Sequence, residues 1–563
     1  MDKTPEIISP NSSSLAKNWG LTLIIYAGLV AYFLSFSRYG LNIWDEGGYA
    51  NGTLRTLNGE RALIDFNPNG YLPGRYWYGL LFFKLFGVEI QSLRIAVAVL
   101  TPAMILMVYS ISRKIMPAGF SFLAALCMLS APSMYYNRFY PFFVILTLYF
   151  LTKTIEKRNL STLIGLVLAI FLSSFFKFEI TLFSILISLV VLGILFFDKS
   201  QGFGSQLWSG TSFSSKKITY FTGGGIALAG VLLFYLGKDG YFLQVFKIVI
   251  DAHEVWGNPF PELLPFFKLY DELGYHKIFE RVLFHLPIWV YALVVIIILA
   301  RFFSNKRQIT INNLHLLAIV GFGICAFGLV IWRAGFDNLL RTLPPFYILF
   351  CYLLFQVWQK VLLFQSSSES PIHERITRIP LSLLIVFLPF LFYFEMNTQH
   401  GFYAGSIGAK SWVINKNFKA MYPETTQIKL ERIDVLTSPN EAKWVNEVVK
   451  RINLYSNKGD SILALPLNPL FYFLTDRTNP TPYEWVLPGM LDEDKELKMV
   501  ETLKVKLPKV VVYVDIAIDG KEERRLKNYA PHIYKFLVDN YAFKEMIGLF
   551  QILLPKQLTP VLE

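Results

Sequence analysis

Apolar runs recur through the first two thirds of this chain, and each is close to the length at which a helix crosses a bilayer. GLTLIIYAGLVAYFLSF, LPIWVYALVVIIILARFF and NLHLLAIVGFGICAFGLVIW approach the ~20 residues that span hydrocarbon. Within lipid every backbone N–H and C=O must be satisfied inside the segment, so such runs fold as helices. Reading apolar runs against charge predicts about eleven of them, near 21–38, 92–112, 118–135, 139–153, 160–176, 180–197, 218–236, 283–303, 314–332, 343–363 and 379–395. With 54% hydrophobic and only 17% charged residues, the 563-residue chain is too apolar for an ordinary soluble protein. The expected class is mainly α, a polytopic transmembrane helical bundle. Its formal charge of +12 does not point to nucleic acid, because Lys and Arg sit in short loops between apolar runs.

Those loops set an expected topology. If residues 1–20 face the cytoplasm, Arg113/Lys114, Lys153/Lys157/Arg158, Lys199/Lys216/Lys217, Arg301/Lys306/Arg307 and Arg375/Arg378 all lie inside. An odd number of helices then puts the C-terminus outside. The start of the chain is polar, and its first apolar run lacks a small-residue cleavage site, so that run reads as a retained helix. Cys127, Cys325 and Cys351 all fall in apolar segments and make no disulfide framework. Two long outer segments stand apart, 39–91, expected to carry interfacial helices, and 237–282, amphipathic pieces interrupted by prolines. Residues 1–395 form the membrane domain in this reading. From 396 to 563 the pattern becomes that of a smaller exported α/β domain: Ser438 and Glu441 form a capping box, and SILALP and KVVVYV read as buried strands.

Chemistry concentrates in Trp44-Asp45-Glu46-Gly47-Gly48-Tyr49-Ala50, directly after the first helix. Adjacent carboxylates at a membrane edge are costly unless hydrated or used. One could act as general base toward a hydroxyl while the other holds a proton donor, a substrate hydroxyl or a cation; equally, the pair could cap the positive end of an interfacial helix. Basic residues at outer helix ends, Arg75, Arg138, Lys177 and Arg341, run against the inside bias of positive charge. Singly each reads as a snorkelling side chain, and as a set they suit a phosphate site. Glu179 beside Lys177, and Asp337 four residues before Arg341, are either local ion pairs or substrate contacts. His253-Glu254 lacks a second His at ligand spacing, and no metal site is assigned. Aromatics around FYFLTD and PTPYEWVLPG fill a core or stack on sugar rings.

The stretch from Asp45-Glu46 through Tyr49, Gly59, Pro68 to Trp77, Leu85-Phe86-Gly87, Ser92 and Arg94 resembles the first outer loop of the GT-C glycosyltransferases. These integral membrane enzymes include protein O-mannosyltransferases and lipid A aminoarabinose transferases. The resemblance implies an inverting transfer of a sugar from a polyprenyl-phosphate donor to an acceptor hydroxyl on a glycan, lipid or protein. It also implies a bacterial inner membrane, with the site on the outer face. The first acidic residue, Asp45, would be the base, with Glu46 beside it. Tyr49, Arg75, Arg138, Lys177, Glu179, Asp337 and Arg341 would contact substrate. Many relatives carry a second acidic residue beside an Arg after the third helix, whereas here Tyr136-Asn137-Arg138-Phe139-Tyr140-Pro141 has no carboxylate. A divalent metal therefore has no support from spacing. Two other classes stay open, a transporter or flippase of lipid-linked sugar and a non-catalytic glycan-binding assembly protein.

Overall fold

A computed structural model describes residues 19–35, 37–68, 71–130, 139–197, 260–262, 266–304, 309–332, 334–366, 387–388 and 426–556. Among the described residues before 367 there are twelve α-helices: α1 (Trp19–Leu34), α2 (Asp45–Leu57), α3 (Gly74–Phe86), α4 (Ile90–Ser112), α5 (Ala118–Cys127), α6 (Phe139–Lys157), α7 (Leu160–Ser173), α8 (Phe178–Phe197), α9 (Phe266–Ser304), α10 (Ile311–Trp332), α11 (Phe336–Thr342) and α12 (Pro344–Ser366). Among the described residues, five helices are long and apolar enough to cross a membrane: Ile90–Ser112, Phe139–Lys157, Phe178–Leu195, Arg281–Ser304 and Ile311–Ile331. Trp19–Leu34, Ala118–Cys127 and Leu160–Ser173 are shorter apolar helices. The expected span at 218–236, and nearly all of that at 379–395, lie outside the described residues.

Two expectations change. Within the run at 118–135, Ala118–Cys127 is α-helical and Met128–Ser130 tightens into a 3-10 turn, while 131–135 lie outside the described residues. Helix α9 begins at Phe266, inside the segment read as an outer loop, and continues unbroken for 39 residues through Pro287. The prolines that suggested broken pieces, Pro259, Pro261 and Pro265, all precede this helix. Pro287 is tolerated because bundle neighbours can meet the backbone groups a proline frees.

The segment 39–91 folds into α2 and α3. Each ends where only glycine is comfortable: Gly59 has φ +94° and Gly87 has φ +98°. Both helices lie at one end of the bundle. The opposite end gathers Lys114 and Glu156, paired at 2.5 Å.

Residues 426–556 form a smaller unit, with the hairpin β1 (Thr426–Leu430) and β2 (Ile433–Thr437) and a four-stranded sheet. That sheet has the order β3 (Leu463–Leu465), β4 (Val511–Tyr513), β6 (Phe550–Pro555), β5 (Tyr541–Ile547). The two strands read from SILALP and KVVVYV are β3 and β4, paired in parallel, and β6 joins β4 antiparallel. Helix α13 (Pro439–Tyr455) starts at Ser438, whose hydroxyl accepts from Glu441 N at 3.3 Å. The reciprocal half of the capping box is replaced, because the Glu441 carboxylate accepts from the Thr437 hydroxyl instead.

This unit is stitched to the membrane part. Leu436 N donates to Arg38 O at 2.6 Å and Gly40 N to Leu436 O at 2.8 Å, so residues 38–40 run alongside β2. Ile90 N donates to Arg432 O at 3.0 Å, and Asn67 N to Pro482 O at 2.6 Å. The Arg38 guanidinium pairs with Asp434. Four backbone bonds from three separate stretches of the first segment fix the domain over the end of the bundle that carries α2 and α3.

Candidate active site

Asp45 opens α2, and the residue that shapes this opening is Asn42. Its side-chain oxygen accepts from Trp44 N at 3.1 Å and from Asp45 N at 2.8 Å, taking over donors that an α-helix start leaves unsatisfied. Asn42 Nδ2 also reaches Asp45 Oδ2 at 3.3 Å. The Asp45 carboxylate is thus half-buried, next to the positive end of the helix, and anchored by a neutral amide.

Glu46 has a different environment. It is buried, and both its oxygens are taken by Arg94 of α4, Nε to Oε1 at 2.6 Å and Nη2 to Oε2 at 2.7 Å. Arg94 further donates to the carbonyls of Ser37 at 2.7 Å and Gly40 at 2.8 Å. This bidentate pair, closed off by backbone carbonyls, ties the loop before α2 to the first turn of α4. The cation that Glu46 holds is a side chain of the protein itself.

Three cationic side chains converge on Tyr71. The Arg75 guanidinium lies 4.0 Å from its ring centre, and Lys177 Nζ lies 4.8 Å from the same ring. They meet because Gly74 N donates to Phe175 O at 2.8 Å, which docks the start of α3 on the turn between α7 and α8. A Cβ on Gly74 would stand 2.6 Å from that carbonyl oxygen, so the approach requires glycine. Arg341, on α11, completes the group. Burial holds its guanidinium below the ordinary value, while Tyr71 and Asp45 oppose the drop and Arg75 adds to it. The mouth of the site is therefore Asp45, Tyr71, Lys177 and Arg341, with Glu179 3.7 Å from Lys177.

Arg75 and Tyr49 sit deeper than the sequence suggests. Both are only 1% exposed; Arg75 also lies over the rings of Tyr49 at 4.7 Å and Tyr76 at 5.2 Å. Tyr49 packs edge-on against Phe139. As placed, neither has a surface to offer a substrate, and the aromatic shell keeps Arg75 behind Tyr71 by cation–π attraction of ~0.5–2 kcal/mol per ring. Arg138 lies outside the described residues, as does the side chain of Asp337. Sequence reasoning missed Tyr71 and Asn42. The Asn42-x-x-Asp45 spacing, a side-chain acceptor three residues before a helical carboxylate, was the available signal for the latter.

The domain-facing side of α2 is equally defined. A Cβ on Gly47 would meet Leu470 N at 2.6 Å, and one on Gly48 would meet Trp485 Cζ2 at 1.8 Å. Farther along the helix, Asn51 Nδ2 donates to Glu484 Oε2 at 2.7 Å and Arg55 Nη1 to Glu484 Oε1 at 2.9 Å. Glu484 is buried, and that burial pushes its carboxyl above the ordinary range against the pull of Arg55 and Asn51. PTPYEWVLPG is thus core and domain interface. Among the described residues no three His, Cys, Asp or Glu side chains converge as metal ligands. Glu46 is unavailable as one because Arg94 occupies both of its oxygens, so the described residues make no divalent cage at Asp45.

Residues 69–232 match the family described as Dolichyl-phosphate-mannose-protein mannosyltransferase. No curated protein matches the sequence significantly. Among solved structures, the chain is similar to ArnT from Cupriavidus metallidurans in the apo state, with TM-score 0.51 and 13% identity, covering 96% of this chain and 98% of that one. ArnT from Cupriavidus metallidurans bound to undecaprenyl phosphate gives TM-score 0.49 and 12% identity over the same shares, 96% and 98%. The oligosaccharyltransferase AglB from Archaeoglobus fulgidus, in complex with an inhibitory peptide and a dolichol-phosphate, gives 0.47 and 13%, covering 98% of this chain and 76% of that one. The chain thus has the fold of apo ArnT along its length, and the segment running from the site loop into the bundle matches a mannosyltransferase family.

Proposed function

We propose that this protein transfers a sugar from a polyprenyl-phosphate carrier to an acceptor hydroxyl, with inversion at the anomeric carbon. The observation that carries the reading is the division of labour between adjacent carboxylates: Glu46 is consumed by Arg94, whereas Asp45 is half-buried and within electrostatic reach of Arg341. Asp45 takes the proton of the acceptor hydroxyl. The resulting oxygen attacks the anomeric carbon from the side opposite the lipid phosphate, and that C–O bond breaks with its electron pair on the phosphate. Lys177 and Arg341 meet the developing charge, while Arg75 adds positive potential from behind Tyr71. Glu179 holds Lys177 in place.

The family description names a dolichyl-phosphate sugar as donor for its members, which supports a polyprenyl-phosphate donor here. The acceptor is a glycan, lipid or protein carrying a free hydroxyl. The excess of Lys and Arg at the end opposite the site supports a cytoplasmic N-terminus. The site and the domain of 396–563 then face outward, on a bacterial inner membrane. A flippase reading explains the cations but gives no task to a carboxylate set against them.

Purified protein in nanodiscs should release polyprenyl phosphate from a labelled polyprenyl-phosphate sugar when acceptor is added. Asp45→Asn should lower turnover by ~100-fold or more with folding intact. Full activity in Asp45→Asn removes the base assignment, and movement of intact sugar-lipid across a sealed vesicle without bond cleavage removes the transfer reaction.

A further inference from the structure

Helix α2 carries the base at its first turn, yet half of what holds this helix comes from the other end of the sequence. Leu470 closes on Gly47 and the Trp485 ring closes on Gly48, two and three residues after Asp45. Asn51 and Arg55 follow the same helix and both bind the Glu484 carboxylate. Arg55 also donates to Thr481 O at 3.3 Å, so its fork spans two points of one domain loop. At 1.5 Å per residue, Asn51 stands roughly 9 Å and Arg55 roughly 15 Å along the axis from Asp45. The contacts therefore run from one residue pair beside the base to the far end of the helix.

Among the described residues, no hydrogen bond from the bundle to this face of α2 matches those from Glu484. Arg94 grips the helix start through Glu46, and α3 packs alongside through Tyr76 against Gly52 and Gly79 against Thr53. Glycines at 47, 48 and 52 leave α2 without side chains to wedge it, and three of the first eight helical positions are poor helix formers. A helix of this composition owes its position to what is packed on it.

We propose that the C-terminal domain positions the catalytic base, with Glu484 as the positioning residue that fixes the rotation of α2 through Asn51 and Arg55. This rests on the transfer reaction and on Asp45 as its base. Glu484 touches no substrate; it acts by holding the Asp45 carboxylate in line with the acceptor hydroxyl, where misplacement by about 1 Å costs on the order of 100-fold in rate.

The test is Glu484→Gln in the full-length protein in nanodiscs. Arg55 keeps Glu60, at 2.6 Å and 2.8 Å, so its charge stays compensated. Positioning predicts that kcat falls at least 10-fold while the KM for the polyprenyl-phosphate sugar changes less than about threefold, since the donor's phosphate contacts do not include Glu484. Glu484→Asp, which keeps the charge, should recover part of kcat. If Glu484→Gln does not fold, Asn51→Ala removes a single 2.7 Å bond and is read in the same way. Wild-type kcat in a folded variant, or a loss in which kcat and KM change together with thermal stability, overturns the positioning role. Asp45→Asn in parallel separates the two ideas: activity surviving there sinks the base assignment, whereas an inactive Asp45→Asn beside a fully active Glu484→Gln sinks only this inference.

Discussion

Removing Arg94 should be among the most damaging single changes in the protein, and the structure says why. Its guanidinium makes two charge-assisted bonds to Glu46, at 2.6 and 2.7 Å, and two short bonds to backbone carbonyls, at 2.7 and 2.8 Å. Arg94 is 2% exposed and Glu46 3%. Arg94→Ala leaves a buried carboxylate facing the carbonyls of Ser37 and Gly40 with no counter-charge. Breaking a buried pair from one side costs about 3–5 kcal/mol, most of it the stranded charge rather than the lost attraction. Glu46→Gln in the same background neutralises that charge and should return about half of the loss, leaving the unpaired carbonyls and the cavity. Equilibrium unfolding in mixed micelles of wild type, both single variants and the double variant gives a coupling energy on the order of 2–3 kcal/mol. Additive effects within about 0.5 kcal/mol, or an Arg94→Ala variant within about 1 kcal/mol of wild type, would refute the argument that this pair anchors α2.

Lys177→Met should raise the KM for the lipid-linked donor by roughly 10- to 100-fold, the value of one hydrogen bond to a charged group, with Lys177→Arg close to wild type; steady-state kinetics at two ionic strengths reads it. Glu484 gives stability a pH dependence. Burial, its largest influence, raises the folded value above the ordinary 4.5 despite Arg55 and Asn51, so the folded state binds this proton more tightly than the unfolded one. Its contribution is full below about 4.5 and is lost as pH rises through the folded value; thermal unfolding of Glu484→Gln between pH 4 and 8 should show a correspondingly flatter slope.

The five candidate spans among the described residues were legible because hydrocarbon imposes one solution on an apolar run, so length and composition suffice. The strands of the C-terminal domain were legible for a similar reason: β3 and β4 are short, uninterrupted apolar runs, the mark of strands covered on both faces. Side-chain partners across long sequence separations were not. Asp45 and Glu46 look equivalent as a dipeptide, and what separates them is Arg94, 48 residues away from Glu46. Arg75 read as a surface cation because nothing local announces that Tyr49, Tyr71 and Tyr76 will close around it. Glu484, 433 residues from Asn51, carried no signal beyond being an acidic residue in an aromatic loop. The amphipathic pieces expected in 237–282 are continuous from Phe266 with the span that begins at Arg281, which the prolines before 266 do not announce.

Charge accounting at the mouth of the site leads to one more expectation. Among the described residues at the mouth and just behind it, Arg75, Lys177 and Arg341 contribute three positive charges, and Asp45 and Glu179 two negative ones, a net of +1. A polyprenyl-phosphate sugar is a phosphodiester with a single negative charge, which matches. In the proposed reaction the leaving group is a phosphate monoester carrying ~1.5–2 negative charges, while Asp45 takes up the acceptor's proton and so loses its negative charge. The site then stands at +2 against a near-dianion, so it holds product best in the state the reaction leaves behind. Asp45→Asn fixes the site in that state. It should therefore bind polyprenyl phosphate more tightly than wild type at neutral pH although it cannot turn over. Removing one like charge about 8–10 Å away at an effective dielectric of ~20–40 is worth about 1–2 kcal/mol, or ~5- to 30-fold in Kd. The gain should shrink as salt is added. Titration of labelled polyprenyl phosphate into both proteins in nanodiscs measures it; equal or weaker binding by Asp45→Asn means that Asp45 does not share a site with the lipid phosphate, and the arrangement proposed for base and cations fails with it.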